Sequence, residues 1–294
     1  MDLYLIIVII MLALAVSGLV VGVANDAVNF LNSALGSKAA PRYVIMTVAS
    51  VGIIVGAITS NGMMEVARSG VFHPEMFTFA EVMLLFLAVM FTNVILLDIF
   101  NTLGMPTSTT VSLVFGLLGA AVGISIFKIA NDALVTLPDG SLATMADMIN
   151  TGNAMAIIGG ILISVVIAFV CGTVVMYITR LIFSFRYQSK LKSYGAVWCG
   201  IALTAISYFA VFKGLKGTQV IPADWMSWME GHIPMMLGGL LVGWSLIMSI
   251  LSMLKVNILR ITVLAGTFSL ALAFAGNDLV NFIGVFVAGV DAYD

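Results

Sequence analysis

Long runs of apolar residues make up most of this 294-residue chain. The apolar positions are continuous rather than spaced at amphipathic intervals, and about 20 residues of helix cross the ~30 Å hydrocarbon core of a bilayer. The pattern predicts eight transmembrane helices, at 3–23, 43–60, 79–101, 107–128, 154–183, 195–213, 233–254 and 260–275. We therefore expect an all-α integral membrane protein, a polytopic helical bundle.

Composition supports this class. Hydrophobic residues account for 62% of the chain and charged residues for 9%, against about 25% charged residues in an ordinary soluble domain. The formal net charge of -2 provides no basic surface for nucleic acid, so the lipid bilayer is the expected surrounding. Cys171 and Cys199 lie inside apolar runs without the spacing of a disulfide or zinc site. We expect no cofactor and no transition metal.

Basic residues in the connecting loops predict the orientation. If every segment spans, one side receives eight of them and the other side four. The larger group is Lys38, Arg42, Arg180, Arg186, Lys190, Lys192, Lys255 and Arg260, and the smaller is Arg68, Lys128, Lys213 and Lys216. The positive-inside rule then predicts a cell-membrane protein with its N-terminus outside. The chain begins Met1-Asp2-Leu3, without the basic residues of a signal peptide.

A pair of matching polar strings predicts the architecture. ANDAVNF at 24–30 and GNDLVNF at 276–282 agree at five of seven positions, and each follows a hydrophobic segment. The chain reaches the two copies in opposite directions, which indicates an inverted repeat with broken helices, as in many secondary transporters. The predicted division is a first repeat at 1–130, intervening helices at 131–259 and the start of a second repeat at 260–294.

Each copy carries an intramembrane carboxylate, Asp26 or Asp278. Such acids are costly in a membrane helix and are therefore functional candidates. Neighbouring amides would supply further oxygens to a hard cation, and an unwound turn would add backbone carbonyls. The amides are Asn25, Asn29, Asn277 and Asn281. The alternative is that Asn-Asp simply caps a helix.

A second constellation lies in NTLGMPTSTTVS at 101–112, where Gly104 and Pro106 interrupt the hydrophobic pattern. A half-helix starting at 107 would carry four hydroxyls in its first turn, next to free N–H groups at the positive end of the helix dipole. The hydroxyl residues are Thr107, Ser108, Thr109 and Thr110. This arrangement suits an anion, although capping would also explain one or two of the residues. Nearby, Asp98 and Asn101 either line the same cavity or lie at the interface.

These strings resemble the inorganic phosphate transporter family. ANDAVNFLNSALGS at 24–37 is similar to that family's Gly-Ala-Asn-Asp-Val-Ala-Asn signature, PTSTTVS at 106–112 to its Pro-x-Ser-Thr-Thr-His-Ser, and FAGNDLVNFIGV at 274–285 to the second repeat's signature. The resemblance implies sodium-coupled uptake of inorganic phosphate by alternating access. It implies phosphate binding by Asp26, Asn29, Ser108, Thr109, Thr110 and Asn281. It implies sodium binding by Asn25, Asp26, Asn277 and Asp278.

Three departures from the family pattern affect these expectations. Val111 replaces the histidine, and ASVGI at 49–53 lacks the glutamate often found there, which leaves the coupling ion open. A second counterpart of Ser108 would fall near position ~360 by the repeat spacing, beyond Asp294. We therefore expect these residues alone not to transport, unless two chains assemble as a homodimer to complete the site.

Several other functions remain to be separated. Sulfate is also tetrahedral, and protons could replace sodium as the coupling ion. A membrane-embedded enzyme is disfavoured because neither histidine, His73 or His232, lies beside the polar strings. A passive anion channel is disfavoured by the inverted repeat with interrupted helices, which favours alternating access. We predict a transporter and not an enzyme.

Overall fold

Long α-helices dominate the computed structural model, which describes residues 3–59, 70–132, 136–137, 141–184, 187–215 and 221–293. Within these residues, eight spans are long and apolar enough to cross a membrane. They are Leu3–Gly36, Arg42–Thr59, Phe79–Thr102, Thr109–Ala130, Thr151–Ile182, Tyr187–Phe212, Ile233–Met253 and Ile258–Tyr293. The eight predicted segments are confirmed, and the chain is a multi-pass membrane protein.

The helices are numbered in chain order. They are α1 (Leu3–Gly36), α2 (Arg42–Thr59), α3 (Phe79–Thr102), α4 (Thr109–Ala130), α5 (Met145–Met148), α6 (Thr151–Ile182), α7 (Tyr187–Phe209), α8 (Ala223–Gly231), α9 (Ile233–Met253), α10 (Ile258–Asn277) and α11 (Leu279–Tyr293). A 3-10 turn at Pro74–Met76 precedes α3, and a π-helical turn at Ala210–Leu215 follows α7. The described residues form no β-strand, only two isolated bridges. The all-α fold class is confirmed.

The two Asn-Asp copies differ in backbone structure. Helix α1 runs without interruption through the first copy to Gly36, thirteen residues beyond the predicted end. At the second copy, α10 ends at Asn277 and α11 begins at Leu279. The expected unwound turn therefore forms only at Asp278. Helix propensity accounts for the difference, because Ala24 precedes the first Asn-Asp and Gly276 the second, and glycine costs a helix about 1 kcal/mol relative to alanine.

The chain divides into two compact units. Unit 1 comprises Met1–Ala27, Gly62–Ser164 and Asp278–Asp294, and unit 2 comprises Val28–Asn61 and Val165–Asn277. Both Asn-Asp copies contain a boundary between units. This division groups residues by compactness rather than by repeat, so the predicted repeat boundaries stay predictions.

The core of unit 1 is built from α3, α4, α11 and the first part of α1. Met11 and Leu117 are completely buried there. Phe282 of α11 packs against Gly18 and Gly22 of α1, where a β-carbon at Gly18 would lie 2.9 Å from the Phe282 Cδ1. Small residues at such positions let membrane helices approach closely. This contact brings the second Asn-Asp copy beside the first part of α1.

One lysine of unit 1 is buried in an ion pair. Lys128, in the last turn of α4, is only 2% exposed. Its Nζ donates to the Glu81 Oε2 at 2.8 Å and to the Met76 carbonyl at 3.1 Å. Glu81 also closes the capping box with Thr78 at the start of α3. Lys128 was counted above among the loop charges, but it is a buried structural cation.

The orientation of the chain stays a prediction. Besides Lys128, the smaller group of basic residues consisted of Arg68, Lys213 and Lys216. Arg68 and Lys216 lie outside the described residues, as do the side chain of Lys213 and, from the larger group, Arg186. The structure therefore adds no test of the positive-inside assignment.

Unit 2 packs through close helix contacts. At Gly52 of α2 a β-carbon would lie 2.6 Å from the Phe268 carbonyl oxygen of α10, and at Gly56 it would overlap the Leu272 carbonyl. The two glycines therefore allow α2 to lie directly on the α10 backbone. A second cluster, between α7 and α9, surrounds the buried Cys199. Cys199 thus packs as a small apolar side chain.

Candidate functional site

The chain turns sharply between α3 and α4. Gly104 has a left-handed φ of 69°; its N–H donates to the Asn101 carbonyl, and the Met105 N–H donates to the Phe100 carbonyl. These two bonds form a Schellman motif, in which glycine is favoured because it lacks a β-carbon. The predicted break at Gly104 is confirmed, and it ends α3 before the hydroxyl-rich string.

Helix α4 begins at Thr109, two residues later than predicted. Ser108 is its N-cap, and the Ser108 Oγ accepts a hydrogen bond from the Val111 N–H at 3.3 Å. Ser108 is exposed, whereas Thr109 is 2% exposed. Capping therefore explains the structural role of Ser108. The first turn of α4 still directs backbone N–H groups and the positive end of the helix dipole toward the region around Ser108.

Thr110 connects α4 to the second Asn-Asp copy. Its Oγ1 donates to the Asp278 Oδ1 at 3.1 Å and accepts from the Asn281 Nδ2 at 3.0 Å. Asn281 is 3% exposed, and its Oδ1 is buried without a hydrogen-bond partner among the described residues. The hydroxyl-rich string and the second Asn-Asp copy therefore meet through side chains inside unit 1. A buried carbonyl oxygen without such a partner favours the binding of a hydrogen-bond donor or a cation beside it.

Two carboxylates lie in this part of unit 1. Asp26 is 4% exposed, and it interacts electrostatically with Asp278. Like charges repel strongly where the dielectric constant is low. The described part of unit 1 contains a single lysine or arginine, Lys128, which is bound by Glu81. This pair of acids therefore favours a cation supplied from solution.

Asn25 is fully engaged with the protein. Its Nδ2 donates to the Asn101 Oδ1 at 2.8 Å and to the Met105 carbonyl at 3.2 Å. Its Oδ1 accepts from the Thr107 N–H at 2.8 Å, and the Asn101 Nδ2 donates to the Val21 carbonyl at 2.9 Å. The observed partners of Asn25 lie at the end of α3 and in the loop before α4, and its predicted role in sodium binding stays a prediction.

Two other predicted site residues belong to unit 2. Asn29 lies further along α1, in unit 2, and is exposed. Asn277 ends α10, and its side chain lies outside the described residues. Their predicted roles in phosphate and sodium binding stay predictions.

Three polar residues of α3 complete the picture of unit 1: Asp98 and Asn101, for which the sequence left two alternatives, and Asn93, which the sequence interpretation missed. Asn101 is hydrogen-bonded in the loop network, whereas Asp98, one turn earlier, is exposed. Asn93 is 6% exposed, and its Oδ1 accepts from the Ser112 Oγ at 2.5 Å. An asparagine within the apolar pattern of α3 was the available signal for Asn93. Its partner could not be inferred without the contact between α3 and α4.

These features define a class of protein: a multi-pass membrane protein with an interrupted helix and two copies of one polar string, as in secondary transporters. Residues 22–294 match the phosphate transporter family, and the chain belongs to that family. The resemblance seen in the sequence strings is confirmed.

Individual relatives agree with this family. A protein of Thermococcus kodakarensis named as a phosphate permease is 25% identical over 200 residues, covering 67% of this chain and 45% of the relative. The chain thus spans less than half the length of that relative. The alignment with a solved structure of a sodium-dependent phosphate transporter covers 98% of this chain and 68% of that transporter's chain. The TM-score is 0.68 and the sequence identity is 17%. This likeness concerns the fold.

Proposed function

We propose that this chain, assembled as a homodimer that completes the site, imports inorganic phosphate across the cell membrane, coupled to sodium by alternating access. The observation that carries the proposal is the cluster in unit 1, where the hydroxyl-bearing start of α4 contacts Asp278 and Asp278 interacts electrostatically with Asp26. Membership of the phosphate transporter family supports phosphate as the transported anion. The name of the solved relative supports sodium.

The first turn of α4 would bind the anion. Ser108 and Thr109 offer hydroxyls there, beside N–H groups at the positive end of the helix. The Thr110 hydroxyl donates to Asp278 and would join the anion site by turning its hydrogen toward phosphate once a cation is bound. Phosphate protonated at one oxygen also donates a hydrogen bond, which a carboxylate such as Asp26 accepts, whereas sulfate has no proton to donate. The site therefore favours phosphate over sulfate.

The two carboxylates would bind sodium. Asp26 and Asp278 supply negative charge. The Asn281 Oδ1, which has no hydrogen-bond partner among the described residues, supplies a neutral oxygen, and oxygen is the ligand type that hard cations prefer. An anion placed beside two carboxylates is repelled until cations neutralise them. This repulsion gives coupling a physical basis, because phosphate binds well only when sodium is bound.

Uptake of radiolabelled phosphate into proteoliposomes tests this proposal. We expect accumulation with an inward sodium gradient and none with a proton gradient alone. Excess unlabelled phosphate should compete far better than sulfate. Accumulation driven only by protons would contradict sodium coupling, and equal entry with and without gradients would indicate a channel.

A further inference from the structure

Two asparagines fasten the loop between α3 and α4 to the first part of α1. Asn101, in the last turn of α3, bonds both to the Val21 carbonyl and to the Asn25 side chain, at 2.9 and 2.8 Å. Asn25 in turn holds the loop through the Met105 carbonyl and the Thr107 N–H. We call these four hydrogen bonds the asparagine clamp. It connects three chain segments within unit 1.

The clamp occupies both N–H donors and the carbonyl oxygen of the Asn25 side chain. A primary amide has two N–H donors and one carbonyl oxygen, and both donors and the oxygen of Asn25 have partners. Asn25 is 5% exposed, so a lost partner would leave a buried polar group unpaired, which is unfavourable. The orientation of the Asn25 amide therefore depends on Asn101.

Apolar burial contributes little to the position of this loop. Leu103 is 61% exposed and Met105 is 46% exposed. Gly104 and the Schellman bonds fix how α3 ends, but they leave the direction of the next residues undetermined. The bond from the Thr107 N–H to the Asn25 Oδ1 lies directly before the Ser108 N-cap. The clamp thus sets where α4 begins.

We propose that Asn101 is a positioning residue for the anion site, acting through Asn25 on the first turn of α4. This inference rests on the proposed function, since it assumes that phosphate binds at that turn. Asn101 itself contacts no ligand in this scheme. Its loss should weaken phosphate binding by displacing Ser108 and Thr109 rather than by removing a donor.

Asn101→Ala tests the proposal, with Asn131→Ala as the matched control. Asn131 also lies at a helix end of unit 1, and its Nδ2 donates to the Phe127 carbonyl at 2.8 Å, but it is at the far end of α4. We expect Asn101→Ala to raise the phosphate concentration that gives half-maximal uptake about tenfold, which is equivalent to one lost hydrogen bond. The maximal rate of uptake should stay within about twofold of wild type. Asn131→Ala should change neither quantity.

Hydrogen exchange gives a readout that does not depend on phosphate. The Thr107 amide should exchange about tenfold faster in Asn101→Ala, because its acceptor, Asn25, loses orientation. Asn101→Gln, which keeps the amide but moves it by one methylene, serves as a second variant and should give an intermediate effect on both readouts. Unchanged exchange would overturn the clamp whether or not the wild type binds phosphate.

The two readouts also separate this inference from the proposed function. Faster exchange at Thr107 with unchanged half-saturating phosphate would overturn the positioning role of Asn101. A fall in maximal uptake with unchanged half-saturating phosphate would also overturn it, since that pattern indicates general damage. A wild type that binds no phosphate would refute the proposed function, and the positioning role with it, while exchange would still report on the clamp.

Discussion

The Thr110 hydroxyl provides the sharpest test of the contact between the two polar strings. Thr110→Val removes it with little change of shape, and so deletes the bonds to Asp278 and Asn281, at 3.1 and 3.0 Å. Hydrogen bonds between membrane helices contribute about 0.6 kcal/mol on average and up to about 1.7 kcal/mol. A bond to a carboxylate lies toward the upper value. We therefore expect Thr110→Val to lower the unfolding free energy by about 2 kcal/mol.

Unfolding in mixed micelles, titrated with a denaturing detergent, measures this difference. Thr110→Ser keeps the hydroxyl and is the matched control, which should lie within about 0.5 kcal/mol of wild type. A double-mutant cycle with Asp278→Asn should give a coupling energy of at least about 0.5 kcal/mol. Equal stability of Thr110→Val and Thr110→Ser would refute the bridging role.

Three further predictions concern the framework. Gly104→Ala should cost about 1 kcal/mol in thermal unfolding because of its positive φ. Gly119→Ala should cost nothing, because an added β-carbon there would meet no described atom within 4 Å outside the local helix backbone; equal losses would contradict the turn assignment. Gly56→Val should abolish the folded peak in size-exclusion chromatography, because it collides with the α10 backbone. Glu81→Gln should destabilise the fold more than Lys128→Met, since Glu81→Gln leaves the 2% exposed ammonium of Lys128 without its counter-charge; the reverse order would count against a buried ion pair.

Much of the fold could be predicted because apolar runs report directly on membrane helices. All eight spans were found, but helix ends were less certain where polar residues continue a helix. The first Asn-Asp copy stays helical, and the Asn25 side chain forms its hydrogen bonds with the loop before α4. Nothing local to residues 24–30 indicates that partner. The second copy breaks at Asp278, where Gly276 lowers helix propensity.

The candidate site was predicted in part. Asp26 and Asp278 were identified from repeated strings and intramembrane charge, and Thr110 from the hydroxyl-rich string that follows Pro106. The structure brings the three residues together within unit 1. Asn93 was not identified, and Asn101 was left between the cavity and the interface, because each depends on a contact between helices distant in sequence. Periodicity gives the face of a helix, but it does not give the neighbour that the face meets.

Equilibrium binding of radiolabelled phosphate at increasing sodium concentration tests the central claim most directly. For the wild type we predict that phosphate affinity rises with sodium, because the cation neutralises Asp26 and Asp278. Asp278→Asn should lose most of this dependence, whereas Asp98→Asn, which alters an exposed carboxylate, should retain it. Phosphate binding independent of sodium in the wild type, or an unchanged dependence in Asp278→Asn, would contradict the account.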